Sequence, residues 1–312
     1  MTLDVLALAA GLVLLVAAAQ ALVRGASSLA LRLGLSPLVV GLTVVAFGTS
    51  APELVVSVQA ALANAGGIAV GNVVGSNVAN VGLILGVAAL LRPFDAEPAV
   101  LRRDVPALLA ATAAGAVVLL DREVTRTEGA ALVLALVAYL AWSIADARRQ
   151  RAAPDPDLPA PTGSVWGAVA FAVLGLGGLV VGADLFVGGA TGLAAAAGVS
   201  DAVIGLTVVA VGTSLPELAT SAVAAVRGES GLAVGNVVGS NLFNVLGILG
   251  AGALTRPLVA PGLQMVDVAV MGAFAVAVLP LLLSGRRLAR VEGAALVVGY
   301  ASYLAYLVVS HG

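Results

Sequence analysis

Apolar residues run along this chain in blocks of roughly the 20 residues that a helix needs to cross a bilayer core, separated by short breaks rich in Arg, Asp, Glu or Pro. Read block by block, the pattern predicts ten helices at about 3–23, 37–62, 68–91, 101–120, 127–146, 164–187, 202–226, 231–254, 265–284 and 288–309. The first block carries Asp4 and no basic residue ahead of it, so it lacks the charged start of a signal peptide and reads as a span. The one polar low-complexity stretch, Asp146 to Gly163, holds Arg148, Arg149 and Arg151, then Pro154, Pro156, Pro159 and Pro161, and reads as a linker.

Composition turns this pattern into a class. Of 312 residues 61% are hydrophobic and 10% charged, against about 25% charged in a soluble domain. With 38 Gly and 13 Pro, the chain is expected to be an all-α polytopic membrane protein. There is no Cys, no Lys, and the single His is His311, so thiolate chemistry, disulfides, zinc and haem ligation and a Ser-Lys dyad are excluded. No enzymatic activity and no cofactor are expected. All 15 basic residues are Arg, and they cluster between apolar blocks, which reports topology rather than nucleic-acid binding. Twelve fall in loops of one face, and Arg122, Arg126 and Arg256 in loops of the other, which predicts both termini outside.

The two sides of the linker repeat each other. Gly41 to Pro93 aligns with Gly205 to Pro257 at a constant offset of 164, with 34 of 53 positions identical. The same offset pairs Gly25 with Gly189, Glu128 with Glu292 and Tyr139 with Tyr303, with a one-residue slip near Asp104 and Asp267. The expected organisation is a first five-helix repeat at 1–146, a cytoplasmic linker at 147–163 and a second repeat at 164–312, with cores at 41–93 and 205–257. Five spans per repeat is odd, so the second enters the membrane from the opposite side, an inverted pair of the kind secondary transporters use.

Each repeat core carries an acid near the middle of a span. The second predicted span reads Gly48-Thr49-Ser50-Ala51-Pro52-Glu53, and the seventh Gly212-Thr213-Ser214-Leu215-Pro216-Glu217. A charge at that depth costs at least about 2.5–3.5 kcal/mol, so such an acid is a functional candidate by default. Pro52 lacks an N–H and crowds the Gly48 carbonyl, so the helix is expected to unwind around Ala46 to Ser50. Freed carbonyls, the Thr49 and Ser50 hydroxyls and Glu53, with the equivalent set from the seventh span, would form an all-oxygen site suited to Ca²⁺ or Na⁺.

The third and eighth spans add Gly71-Asn72-Val-Val-Gly75-Ser76-Asn77-Val-Ala-Asn80 and Gly235-Asn236-Val-Val-Gly239-Ser240-Asn241-Leu-Phe-Asn244. Positions 72, 76 and 80 share a helix face. Ser76, Ser240, Asn80 and Asn244 fit two readings, as further oxygen ligands or as helix-to-helix hydrogen bonds. Asn72, Asn77, Asn236 and Asn241 read as structural. Asp184 reads as interfacial, and Glu128 and Glu292 as acids favoured at helix N-termini.

The paired Gly-Thr-Ser-x-Pro-Glu and Gly-Asn-Val-Val-Gly-Ser-Asn-x-x-Asn motifs resemble the two α-repeats of the cation/calcium antiporter superfamily, and its prokaryotic sodium/calcium exchanger branch in particular. The resemblance implies a carrier that exchanges sodium for calcium by alternating access, in a prokaryotic inner or plasma membrane. Glu53 and Glu217 would be the charged Ca²⁺ ligands, with backbone oxygens near Thr49 and Thr213. Sodium would use Ser50, Ser214, Ser76, Ser240, both Glu and the carbonyls of Ala46 and Ala210, and Asn80 and Asn244 would complete the shell. Where some members carry Asp on the eighth span this chain has Asn244, one possible charge fewer. The first and sixth spans would slide against the rest. The implied partners are calcium and sodium ions and the lipid bilayer, with no obligatory protein partner. A proton-coupled calcium antiporter would use the same acids, and a passive cation channel is the reading from another class.

Overall fold

The computed structural model describes residues 2–95, 100–149, 164–197, 210–283 and 287–311. It is a bundle of helices: α1 (Thr2–Leu33), α2 (Pro37–Thr49), α3 (Ala51–Leu62), α4 (Gly66–Leu91), α5 (Val105–Val118), α6 (Arg126–Arg149), α7 (Val165–Ala196), α8 (Leu215–Arg227), α9 (Ser230–Thr255), α10 (Met265–Leu283) and α11 (Arg290–His311). Six of these are long and apolar enough to cross a membrane, and seven if α2 and α3, bent by 46° at Ser50, form one span. The start of the predicted seventh span, 202–209, and most of the predicted linker, 150–163, lie outside the described residues. The linker's first residues continue α6 to Arg149.

Helix ends follow local chemistry. Pro37 opens α2 behind an N-cap Ser36, whose hydroxyl accepts the Val39 N–H, and Ser164 caps α7 through Gly167. Glu128 sits in a capping box: its carboxylate accepts the Thr125 N–H at 2.8 Å, while Thr125 Oγ1 accepts the Glu128 N–H at 3.3 Å. Glu292 accepts the Ala289 N–H in the same way. α3 and α8 both end on a left-handed residue, Asn64 (φ 62°) and Gly228 (φ 83°) at equivalent repeat positions.

α1 and α7 differ from the predicted spans by about ten residues. Arg24 suggests a break in the first block, yet the helix runs on to Leu33. An Arg stem tolerates apolar surroundings, and this guanidinium lies over the Phe171 ring, 5.8 Å from its centroid. Each helix has 32 residues, about 48 Å of length against a hydrocarbon core of about 30 Å. Asp184 therefore lies inside α7 and is exposed, rather than at a helix end.

The two helices pack antiparallel along a seam of small residues seven apart: Gly11, Ala18 and Gly25 against Gly175, Gly182 and Gly189. A methyl group at Gly11 would meet backbone at Gly182 and Phe186, and one at Gly25 backbone at Ala168 and Ala172. Exchanging the halves reproduces the contacts, since Gly175 abuts Leu22 and Gly189 abuts Asp4 and Leu8. Two short strand pairs obey the same exchange. β1 (Phe94–Asp95) pairs antiparallel with β4 (Arg287–Leu288), and β2 (Glu123–Val124) with β3 (Leu258–Val259). The register Phe94 to Leu288 becomes Leu258 to Val124 when 164 is added to one residue and subtracted from the other.

Tyr139 and Tyr303 do equivalent work, donating to Asp104 at 3.0 Å and to Asp267 at 2.9 Å. In the first half Asp104 also takes Arg103, which reaches on to Asp146 at 3.1 Å, so a buried acid is paired with a cation.

The seam yields a test. Gly175→Val should lower thermal stability in detergent by about 1–3 kcal/mol through backbone overlap with Leu22. Gly177→Val, where nothing lies within 4 Å, should leave the melting temperature nearly unchanged.

Candidate cation site

The two repeat cores build one site from the same local device. Proline is tolerated in the first turn of a helix but not in its interior, so Pro52 and Pro216 oblige α3 and α8 to start afresh. Ser50 (φ −83°, ψ 7°) and Ser214 (φ −89°, ψ 6°) take the N-cap positions, and Glu53 and Glu217 fall in the first turn. Both acids thus sit at a positive helix end, where the first-turn N–H groups have no carbonyl partner within the helix.

The break is narrower than the sequence predicts. Ala46–Thr49 form a helical turn rather than an unwound stretch, and the chain departs from helix at Ser50 alone. The Ser50 N–H reaches the Ala46 and Gly48 carbonyls, so one residue absorbs the bond that Pro52 cannot make. A π-helical stretch, Gly41–Val45, precedes the turn. The Ala46 carbonyl is consequently engaged by Ser50 N–H at 3.0 Å and keeps only a second lone pair. Ala210 opens a single turn, Ala210–Gly212, preceded by residues outside those described.

The two halves meet at the acids. Glu53 is 2% exposed and Glu217 1%. Ser50 Oγ donates to Glu217 Oε1 at 2.9 Å across the repeat boundary. Ser214 Oγ, the repeat counterpart of Ser50 Oγ, is buried and finds no hydrogen-bond partner among the described residues. Thr49 Oγ1 lies 3.0 Å from the Val45 carbonyl and 3.1 Å from Asn236 Oδ1, and Thr213 is half-buried and bonded.

α4 and α9 cross behind the acids. Ser76, Asn80, Ser240 and Asn244 are all buried. Asn80 and Asn244 stand in π-helical stretches, Asn80–Leu85 and Phe243–Ile248, the kind of widened turn that recurs at functional sites. The stretch holding Asn80 packs on α8, and the one holding Asn244 packs on α3, so each half serves the other's acid.

Oxygen is left over here. Among the described residues, Glu53 Oε2, Glu217 Oε2, Asn80 Oδ1, Asn244 Oδ1, Ser214 Oγ and Ser240 Oγ are buried and find no hydrogen-bond partner. A buried polar atom without a partner costs about 1–3 kcal/mol; Asn77 Oδ1 shares this state, and the other six, on the acids and on the Ser and Asn around them, form a set suited to a cation. An all-oxygen set of carboxylates, amide carbonyls and hydroxyls is the donor type of hard cations such as Ca²⁺.

The remaining motif amides brace the site. Asn72 Nδ2 donates to Ser57 Oγ at 2.9 Å and to the Glu53 carbonyl at 3.2 Å. Asn236 Nδ2 donates to Ser221 Oγ at 3.0 Å and to the Glu217 carbonyl at 3.4 Å. Asn77 and Asn241 donate to carbonyls one turn back, Val73 and Val237. Ser57 and Ser221 are the residues that motif reading missed. Their signal was present, since both lie four residues after a Glu and are identical at the repeat offset.

The sodium/calcium exchanger protein family matches this chain twice, over residues 3–145 and 167–309. Sodium/calcium exchanger MaX1 of Methanosarcina acetivorans is 36% identical over 345 residues, covering 98% of this chain and 99% of its own. Inner membrane protein YrbG of Escherichia coli K12 is 38% identical over 258 residues, covering 79% and 78%. The fold matches that of the sodium-calcium exchanger NCX_Mj soaked with 2.5 mM Na⁺ and 0.1 mM Ca²⁺, with a TM-score of 0.86, 34% identity and 98% of each chain covered.

Bracing and binding can be separated by mutation. Asn236→Ala should destabilise the fold by about 1–3 kcal/mol, because Ser221 and Thr49 lose their buried partner. A double-mutant cycle with Ser221→Ala should give a coupling of about 0.5–3 kcal/mol in thermal or denaturant unfolding.

Proposed function

This chain belongs to the sodium/calcium exchanger family, and we propose that it is an integral membrane cation/calcium antiporter that exchanges sodium for calcium by alternating access. The observation that carries the reading is the set of unpartnered buried oxygens on Glu53, Glu217, Asn80, Asn244, Ser214 and Ser240. The two carboxylates carry the charge that a divalent ion neutralises. Backbone oxygen near Thr49 and Thr213 and the amide oxygens of Asn80 and Asn244 complete its shell.

Sodium ions take overlapping oxygens: Ser50 with Ser76, Ser214 with Ser240, the two Glu, and the carbonyls of Ala46 and Ala210. Overlap makes exchange obligatory, because the carrier holds calcium or sodium but not both. With Glu217 engaged by Ser50 at 2.9 Å, ion arrival involves rotation of that hydroxyl proton away from the carboxylate.

Ten spans in two inverted repeats of five fit this reading. With that count the loops at 92–100 and 284–290 share one face, those at 121–126 and 256–264 the other, and the strand pairs β1 with β4 and β2 with β3 agree. An antiparallel α1 and α7 whose contacts survive exchange of the halves suits a two-fold axis in the membrane plane, the symmetry of alternating-access carriers. Twelve of 15 Arg on the linker face put both termini outside, in a prokaryotic inner or plasma membrane. The small-residue seam between α1 and α7 joins them into a pair, and in this reading the pair moves as one unit against the remaining bundle.

Proteoliposomes loaded with Na⁺ and diluted into sodium-free buffer should accumulate ⁴⁵Ca²⁺, with pH clamped equal on both sides. Glu53→Gln and Glu217→Gln should each weaken calcium uptake by more than about tenfold while the protein still folds. Full uptake by either variant would refute the site, and uptake driven by a pH gradient alone would replace sodium with protons as the coupling ion.

A further inference from the structure

Beside the cation site, on the far side of the bend at Ser50, lies an apolar cavity of about 200 Å³. Its walls come from four helices: Phe47, Ser50 and Leu54 across the α2–α3 bend, Leu136 of α6, and Phe243 and Gly247 of α9. Ser50 is the single polar residue of the lining, and its hydroxyl is directed to Glu217 at 2.9 Å. Water finds no polar partner in such a space, and an apolar cavity of about 150 Å³ stays dry and admits benzene-sized guests.

We propose that the end of a lipid acyl chain occupies this cavity. The bent segment runs from Pro37 to Leu62, which puts Ser50 at its middle and therefore at the depth of the hydrocarbon core. The cavity is continuous with the surface that faces lipid: Phe47, at its mouth, is 56% exposed, and Leu134 and Val137 beside the α6 wall are 67% and 57% exposed. Acyl chains are the apolar molecules present at that depth, and their segments match the lining chemically.

The site also has a consequence for its neighbour. Ser50 forms the wall between the cavity and the carboxylates, so hydrocarbon packed against Phe47 and Ser50 supports the helix restart from behind. The two halves differ at this place, since Gly247 and Leu136 correspond to Leu83 and Tyr300 in the repeat.

The chain has five isoleucines, and Ile248 lines the cavity whereas its repeat counterpart Ile84 is fully buried. The protein, ¹³C-methyl labelled at Ile, is placed in nanodiscs whose phospholipid carries a nitroxide near the end of one acyl chain. The Ile248 methyl resonance should be broadened strongly while Ile84 keeps its intensity. Gly247→Leu, which imports the residue found at Leu83, should fill the space and restore the Ile248 signal; Ala251→Val serves the same end if that variant does not fold. Equal intensities for Ile248 and Ile84 would overturn the proposal, as would broadening of Ile248 by a water-soluble paramagnetic chelate. Neither readout depends on transport, so the result stands apart from the exchange assay.

Discussion

The hydrogen bond from Ser50 to Glu217 joins the two halves of the molecule at the place where each interrupts a helix. Everything around the site answers to that interruption. A proline two residues after each N-cap serine forces a new helix start inside the apolar bundle, and a helix start brings unsatisfied N–H groups and a positive dipole end. An acid in the first turn answers both. One oxygen of each carboxylate is left unpartnered.

Rigid surroundings make such an arrangement tenable. Asn72 and Asn236 pin α4 and α9 to the carbonyls of the two Glu and to Ser57 and Ser221, so the acid-bearing turns cannot relax toward other partners. The π-helical stretches that hold Asn80 and Asn244 each pack on the acid-bearing helix of the opposite half. The long pair α1 and α7 meets mainly itself, through glycines that allow backbone contact. Where the pair meets the rest of the bundle, it shares an apolar cluster with Val40 and Val45 of α2, Leu215 and Ala224 of α8 and Leu232 and Ala233 of α9.

Much of this was legible in the residues. An acid in mid-span is costly, so Glu53 and Glu217 announce themselves, and the offset of 164 doubles every inference made on one half. The structural role given to Asn72, Asn77, Asn236 and Asn241 matches their hydrogen bonds. Three features were not legible. The extent of unwinding was overestimated, because Ser50 alone absorbs the bond that Pro52 breaks. The length of α1 was hidden by Arg24, whose stem and ring contact let the helix continue. Ser57 and Ser221 carry no charge, and although their spacing from the two Glu and their identity in the repeat single them out, only the partner helix reveals what they hold.

The central claim is that sodium and calcium compete for one set of oxygens between two glutamates. Equilibrium binding of ⁴⁵Ca²⁺ to the purified protein, titrated with Na⁺ at constant ionic strength and pH, tests it directly. One saturable calcium site per chain is expected, with an apparent Kd that rises steadily with Na⁺ while the maximal occupancy stays constant. Calcium binding that sodium leaves unchanged would contradict it.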